Sequence, residues 1–179
     1  DDAITTSCVS AGDRRTLPTN GSFVSIPNYD PSGLLIPVKI NDGGDMILNE
    51  DIGGTSINYA IWRQPNGTFN RLPPYPGGDA LRVTARSINV GGLITGMVRE
   101  PNLAMTTHGV LWQNGAFLQD IGALACYAST NPQDINAIAQ IVGISTSTTN
   151  FSSVVTAVRA PPPAALRSMA RYSARLRVM

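Results

Sequence analysis

Residues 107–121 read Thr-His-Gly-Val-Leu-Trp-Gln-Asn-Gly-Ala-Phe-Leu-Gln-Asp-Ile, and this stretch decides the fold. Two runs rich in β-formers flank Asn114-Gly115. Asn-Gly is the dipeptide most typical of a two-residue hairpin turn, because both central positions of a type I′ turn need positive φ. The stretch therefore predicts two short antiparallel strands joined by a tight turn.

The hairpin belongs to a unit that recurs along the chain. Asn-Gly followed by a small residue and Phe occurs three times, at Asn20-Gly21-Ser22-Phe23, Asn66-Gly67-Thr68-Phe69 and Asn114-Gly115-Ala116-Phe117. Ile-Asn recurs with a similar spacing at Ile40-Asn41, Ile88-Asn89 and Ile135-Asn136. The Ile-Asn pairs are separated by 48 and 47 residues. A period of about 47 residues predicts a four-stranded antiparallel unit, which is the size of a β-propeller blade.

The repeats define the expected domain organisation. In the best copy the unit begins with the strand that ends at Trp112 and closes with residues 140–144; the preceding copy begins with the strand that ends at Trp62. We expect an N-terminal segment at 1–19, a three-unit β-repeat domain at 20–159, and a Pro-rich linker with a basic amphipathic tail, helical or disordered, at 160–179.

The way in which the three units pack is a separate expectation. Repeat units share a buried interior because one copy cannot bury its own apolar face. We therefore expect one continuous interior, with Phe23, Phe69 and Phe117 in equivalent surroundings. Three units form a small or distorted ring, a ring completed by a second copy of the chain, or an open stack with covered ends, and the sequence leaves these alternatives open.

Composition supports short strands and limits the classes of partner. Charged residues make up 14% of the chain, while Gly (17) and Pro (13) are frequent. Residues 1–158 carry eight basic and all twelve acidic residues, whereas 159–179 carry five Arg and no acid. An acidic body argues against nucleic acid as a partner, because phosphate binding needs a basic surface. No run of 18 apolar residues is present, so no transmembrane segment is expected.

The N-terminus and the cysteines bear on the cellular compartment. Asp1-Asp2-Ala3-Ile4 resembles a mature N-terminus left after processing. Cys8 and Cys126 are too few for a metal site or a disulfide scaffold, and a single bridge between them outside the cytosol stays open.

The second unit resembles the bacterial extracellular HAF repeat. The motifs that carry the resemblance are His108-Gly109-Val110-Leu111-Trp112, Asn114-Gly115, Leu118, Asp120-Ile121-Gly122-Ala123-Leu124, Asp134-Ile135-Asn136 and Gln140-Ile141-Val142-Gly143-Ile144-Ser145. The triplet that names the repeat reads His-Gly-Val here, and Tyr59 stands in place of the His in the previous unit. The resemblance implies a secreted, propeller-like repeat protein and supplies no reaction.

His108, Trp62 and Trp112 are the candidate ligand-binding residues. His108 is the sole histidine, and as a general base it would need an orienting carboxylate and a nucleophile nearby. Its place in a repeated strand favours a packed role. Trp62 and Trp112 could stack on sugar rings, but their equivalent strand positions favour packing between blades.

Asp42 and Asp45 are weak calcium candidates, since they flank two flexible glycines but lack the twelve-residue calcium-loop pattern. A Gly-Gly turn with solvated acids explains them equally. The repeated Asn41, Asn89 and Asn136 could bind sugar hydroxyls, yet recurrence in every unit favours a structural turn. The hairpin glycines Gly21, Gly67 and Gly115 are structural repeat positions for the same reason.

The sequence favours a binding role over catalysis. It contains neither a Gly-rich phosphate loop with Lys nor a Gly-x-Ser-x-Gly elbow, and no cofactor is predicted. The first hypothesis is a secreted non-enzymatic repeat protein that acts as an extracellular binding or assembly module for carbohydrate or a cell-surface polymer. The alternatives are a polysaccharide-acting enzyme with acids from different units converging between blades, and a self-assembling ring or fibre subunit.

Overall fold

A computed structural model describes residues 26–27, 29–53, 55–101, 103–122, 127–147 and 153–159. The predicted N-terminal segment 1–19 and tail 160–179 lie outside these ranges, as do Gly21, Phe23 and both cysteines. Within the described part of the chain the residues form strands and turns and no α-helix, which confirms the all-β prediction.

The strands form three antiparallel sheets, each a meander in which neighbours in sequence pair with each other. Sheet 1 contains β1 (Gly33–Ile40), β2 (Met46–Ile52), β3 (Ile57–Arg63) and β4 (Phe69–Arg71). Sheet 2 contains β5 (Val83–Ile88), β6 (Leu93–Glu100), β7 (Leu103–Gln113) and β8 (Ala116–Asp120). Sheet 3 contains β9 (Ser129–Ile135), β10 (Gln140–Thr146) and β11 (Ser153–Arg159).

The boundaries of the predicted unit differ from those of the sheets. The hairpin that ends its first strand at Trp112 supplies the third and fourth strands of sheet 2, whereas the Ile-Asn pairs follow the first strand of each sheet. A fixed period looks the same from any starting point, so the sequence cannot show where one sheet ends and the next begins. The predicted unit therefore straddles two sheets.

Sheet 2 lies between the other two sheets and buries both of its faces. Side chains alternate across a strand, so Ile94 packs toward sheet 1 while its neighbour Leu93 packs toward sheet 3. β5 also contacts both β1 and β9, so the first strands of the three sheets are neighbours. The three sheets are thus stacked in chain order.

The expectation of one continuous interior is wrong for the described residues, because sheet 2 divides the core in two. The cluster between sheets 1 and 2 contains Ile47, Ala60, Leu72, Val83, Ala85, Ile88, Ile94, Val98, Val110 and Trp112. The cluster between sheets 2 and 3 contains Leu93, Leu111, Ile135, Ala139 and Ile141. Phe117 packs against the first cluster, whereas Phe69 lies beside Tyr29 and under the Arg63 guanidinium. These two phenylalanines therefore have different surroundings.

Candidate functional site at the ends of the first strands

Each first strand ends at the Ile of an Ile-Asn pair, and the Asn that follows closes the turn. The side-chain oxygen accepts the backbone N–H four residues further on, at 2.9 Å for Asn41, 3.0 Å for Asn89 and 2.8 Å for Asn136. An Asn side chain that bonds to its own backbone in this way fixes the turn geometry. All three asparagines therefore have a structural role in their turns.

The same asparagines also connect consecutive sheets. The Asn41 amide donates to the Asn89 carbonyl oxygen at 3.1 Å, and the Asn89 amide donates to the Asn136 carbonyl oxygen at 3.0 Å. The Asn136 amide instead donates to the Gln140 side chain in its own turn, at 2.7 Å. We call these contacts the asparagine ladder. Recurrence in sequence indicated a turn, but the contact between sheets was not predicted.

The residues before the three Ile-Asn pairs, Lys39, Ser87 and Asp134, meet at this end of the sheets. The Lys39 ammonium lies 2.9 Å from the Ser87 hydroxyl and 2.8 Å from the Asp134 carboxylate. Ser87 is buried, whereas the side chains of Lys39 and Asp134 are 39% and 60% exposed. The hydrogen bond from Lys39, and next that from Ser87, lowers the pKa of Asp134. We call these residues the polar triad.

A shallow pocket of about 310 Å³ opens beside the polar triad and is lined by residues from all three sheets. Its lining is Lys39, Ile40, Asn41, Asp42, Ile88, Asn89, Val90, Ile135 and Ala137. Ile40 and Val90 are 57% and 58% exposed, so apolar surface lies next to charged groups. Such a surface suits a ligand with both polar and apolar faces.

The two calcium candidates have different surroundings. Asp42 lines the pocket, whereas the Asp45 carboxylate accepts hydrogen bonds from the Trp62 indole at 3.1 Å and from the Asn41 amide at 3.2 Å. Among the residues that the structure describes, no group of three or more His, Cys, Asp or Glu side chains is placed to hold a metal ion.

Both tryptophans pack between sheets 1 and 2. Trp112 is fully buried, and its indole N–H donates to the Pro73 carbonyl oxygen at 2.6 Å. Trp62 is partly buried and lies against Gly115, where an added Cβ would come within 3.0 Å of its ring. In this packed position the Trp112 ring is not accessible to a sugar.

His108 lies in a second polar cluster, away from the pocket. Its Nδ1 is 2.8 Å from an Asp120 oxygen and its Nε2 is 3.0 Å from a Glu100 oxygen. Both nitrogens donate at once only in the imidazolium form. The cluster therefore contains the orienting carboxylates that sequence reasoning could not locate, since neither has a signature spacing from His108. With both nitrogens bonded, His108 has no free nitrogen to act as a general base.

Tyr75 completes the His108 cluster and attaches the connection between sheets 1 and 2 to it. Its ring centroid lies 4.7 Å from that of His108, and its hydroxyl donates to Glu100. Burial, and next the hydrogen bond to Glu100, raises the pKa of the Tyr75 hydroxyl. Tyr59 is the expected equivalent of His108. The centroid of its ring instead lies 3.4 Å from the Arg71 guanidinium carbon. The histidine cluster is therefore particular to sheet 2.

The fold and these sites define an all-β repeat protein built from stacked antiparallel meanders. Comparison of the chain with protein-family models, with curated proteins and with solved structures finds no match. The described part of the chain contains no apolar helix of membrane-spanning length.

Proposed function

We propose that this chain is a secreted, non-enzymatic repeat module of the propeller type that binds carbohydrate or a cell-surface polymer at the ends of its first strands. The observation that carries the proposal is the polar triad. Its three residues are 48 and 47 positions apart in sequence, yet their side chains are in direct contact.

At the ends of the first strands, the repeat combines constant residues that build the turn with one residue that differs from unit to unit. Ile and Asn are the same in all three units and build the turn, while the preceding residue is Lys, Ser or Asp. Repeat proteins commonly bind through variable positions displayed on a constant framework. The exposed Lys39 and Asp134, both bonded to the buried Ser87, therefore have the arrangement expected of a recognition surface.

The chemistry of the pocket fits a sugar. Hydroxyl groups can accept from the Lys39 ammonium and donate to the Asp134 carboxylate beside the pocket, and the C–H face of a pyranose can cover Val90. Stacked antiparallel meanders with adjacent first strands support the propeller type, and the HAF resemblance supports an extracellular location.

The enzymatic alternative has less support. A glycosidase would need acids from different units converging on one pocket. Among the described residues Glu100 and Asp120 converge, but both belong to sheet 2 and each is bonded to His108. This pairing favours a structural role for the His108 cluster.

A glycan array, followed by pull-down on immobilised cell-surface polysaccharides, tests the proposal. Lys39→Met and Asp134→Asn should each weaken binding of any hit at least tenfold, about the effect of one charged hydrogen bond. Asp51→Asn, a carboxylate on β2 outside the pocket, is the matched control and should bind like the wild type.

Two results would contradict the proposed function. One is undiminished binding by both triad variants. The other is release of new reducing ends from a bound polysaccharide, which would show that the protein is a hydrolase.

A further inference from the structure

The outer face of sheet 3 exposes a position that is buried in the other two sheets. The sixth residue after each ladder asparagine is Ile47, Thr95 or Val142. Ile47 and Thr95 are 0% exposed on the face that meets the next sheet, whereas Val142 is 44% exposed. Two residues further on, Asn49 exchanges two hydrogen bonds with the Ala85 backbone of the next sheet, while its counterpart Ile144 is 37% exposed.

The first strand of sheet 1 presents the complementary half of this contact. The isoleucines before Asn89 and Asn136 are 1% and 3% exposed, because each packs against the preceding sheet. The equivalent residue of sheet 1, Ile40, is 57% exposed. Residues 29–32 lie beside sheet 1, with the Asp30 N–H bonded to the buried Glu50. Ile40 thus marks the open part of this surface.

The asparagine ladder is also incomplete at both ends. The carbonyl oxygens of Asn89 and Asn136 accept a turn N–H and the amide of the preceding asparagine. The Asn41 carbonyl accepts the turn N–H of Gly44, and among the described residues no ladder amide reaches it. A carbonyl oxygen has two lone pairs, so Asn41 can accept a second bond. At the other end of the ladder, the Asn136 amide reaches no carbonyl oxygen of a following sheet among the described residues.

We infer that the outer face of sheet 3 docks on the first strand of a second copy of this chain, with the Asn136 amide donating to the Asn41 carbonyl. The occupant is a second copy because the chain carries both halves of a contact that it already makes twice internally, from sheet 1 to 2 and from sheet 2 to 3. Such a contact joins different surfaces, so it forms a ring if the rotation closes and a fibre if it does not. Two copies supply six sheets, within the range of closed propellers.

Molar mass measured by light scattering and sedimentation, without added ligand, tests this inference separately from carbohydrate binding. The wild-type mass should rise with concentration above that of one chain. Ile40→Lys and Val142→Lys should each lower the association constant at least tenfold, because each places a charge in the apolar contact. Leu81→Lys changes an apolar residue that is 47% exposed elsewhere and should leave association unchanged.

Mixing the two variants gives the decisive result. The Ile40→Lys chain keeps an intact sheet 3 face, and the Val142→Lys chain keeps an intact first strand, so the mixture should form a one-to-one complex. Docking of two sheet 3 faces on each other would not be restored in this way. A wild-type chain that stays monomeric at all concentrations, or a mixture that stays monomeric, overturns the inference. If either Lys variant loses its β-sheet circular dichroism, Ile40→Thr and Val142→Thr are the replacements.

Discussion

The side-chain oxygen of Asn89 accepts a hydrogen bond from Leu93 and its NH2 group donates one to Asn136, while only 7% of the residue is exposed. Removing that side chain takes the Asn89 acceptor away from the Leu93 N–H and breaks the link to sheet 3. Asn89→Ala should therefore lower the free energy of unfolding in urea by about 2–3 kcal/mol.

Asn136→Ala is the matched control for this change. Asn136 is exposed and its amide bonds within its own turn, so its removal should cost less than about 1 kcal/mol. Equal losses for the two variants would contradict a role for the asparagine ladder between sheets.

The lowered pKa of Asp134 predicts that the folded protein loses stability in acid. Its pKa is lowered from the ordinary 3.8 by Lys39 and Ser87, so the ionised form favours the folded state. That contribution is present above about pH 4 and disappears as the pH falls through the lowered value. The difference in urea midpoint between the wild type and Asp134→Asn should therefore be larger at pH 7 than at pH 3. A difference that stays constant with pH would contradict the pairing with Lys39.

We expect Tyr75 to remain un-ionised in an alkaline titration. Burial and Glu100 raise its pKa, so Tyr75 should stay protonated where exposed tyrosines ionise near pH 10. The raised value favours the folded state below about pH 10, and this contribution is lost at higher pH. Absorbance at 295 nm should have the same amplitude up to pH 11 in the wild type and Tyr75→Phe. Glu100→Gln should lower the pKa of Tyr75 without returning it to its ordinary value, because burial, the larger cause, remains.

The polar triad shows how far sequence reasoning reached at the residue scale. Lys39, Ser87 and Asp134 share a phase of the repeat, so a signal for their proximity was present in the spacing. The spacing alone does not predict their contact, because the three side chains differ and because a contact between sheets depends on the stacking order. Glu100 and Asp120 gave no periodic signal beside His108.

At the scale of single elements, the hairpins show where a turn motif predicts geometry and where its neighbours decide. Asn114 and Gly115 have φ of 52° and 76°, as a type I′ turn requires. At Asn66-Gly67 only Gly67 has positive φ, and Gln64 and Thr68 close a three-residue loop. Pro65 explains the difference, because its ring fixes φ near −65° and favours a type I turn followed by a left-handed glycine.

Gly143 gives an element-scale prediction. A Cβ there would lie 2.7 Å from the Asn131 carbonyl oxygen on the neighbouring strand, where the β9–β10 register shifts. Gly143→Ala should therefore lower the free energy of unfolding by about 1–3 kcal/mol, and Gly96→Ala, which would overlap the Thr84 carbonyl, by at least as much.

Gly53→Ala is the control for both glycine changes. A Cβ at Gly53 meets no heavy atom within 4 Å, so the substitution should change stability by less than about 0.5 kcal/mol. Unchanged thermal midpoints for the Gly143 and Gly96 variants would contradict the close approach of their strands.

At the scale of the whole molecule, the two unequal core clusters predict uneven stability. Sheets 1 and 2 share the larger cluster, while sheet 3 is held by the smaller one and exposes Val142 and Ile144. Regions with fewer buried apolar contacts open more readily. Hydrogen exchange followed by mass spectrometry should show faster exchange in residues 140–146 than in 93–98. Equal protection in these segments would show that the three sheets unfold as one unit.

The repeat period predicted the all-β class, and it could not predict the division of the interior. Periodicity reports that a pattern returns, whereas burial on both faces of sheet 2 depends on having a neighbour on each side. Thr95 illustrates the limit, since a threonine at an Ile47-equivalent position gives no sequence sign that it is 0% exposed.

The turns after the first strands are closed by backbone groups and by the Asn side chains. Lys39 and Asp134, the two exposed residues that precede Ile-Asn pairs, can therefore be exchanged while these turns stay closed, whereas Ser87 is buried between them. Randomising positions 39 and 134 together would create a library of two adjacent exposed side chains on one scaffold. The fold thus offers a starting point for engineered recognition, in which specificity is selected at two codons.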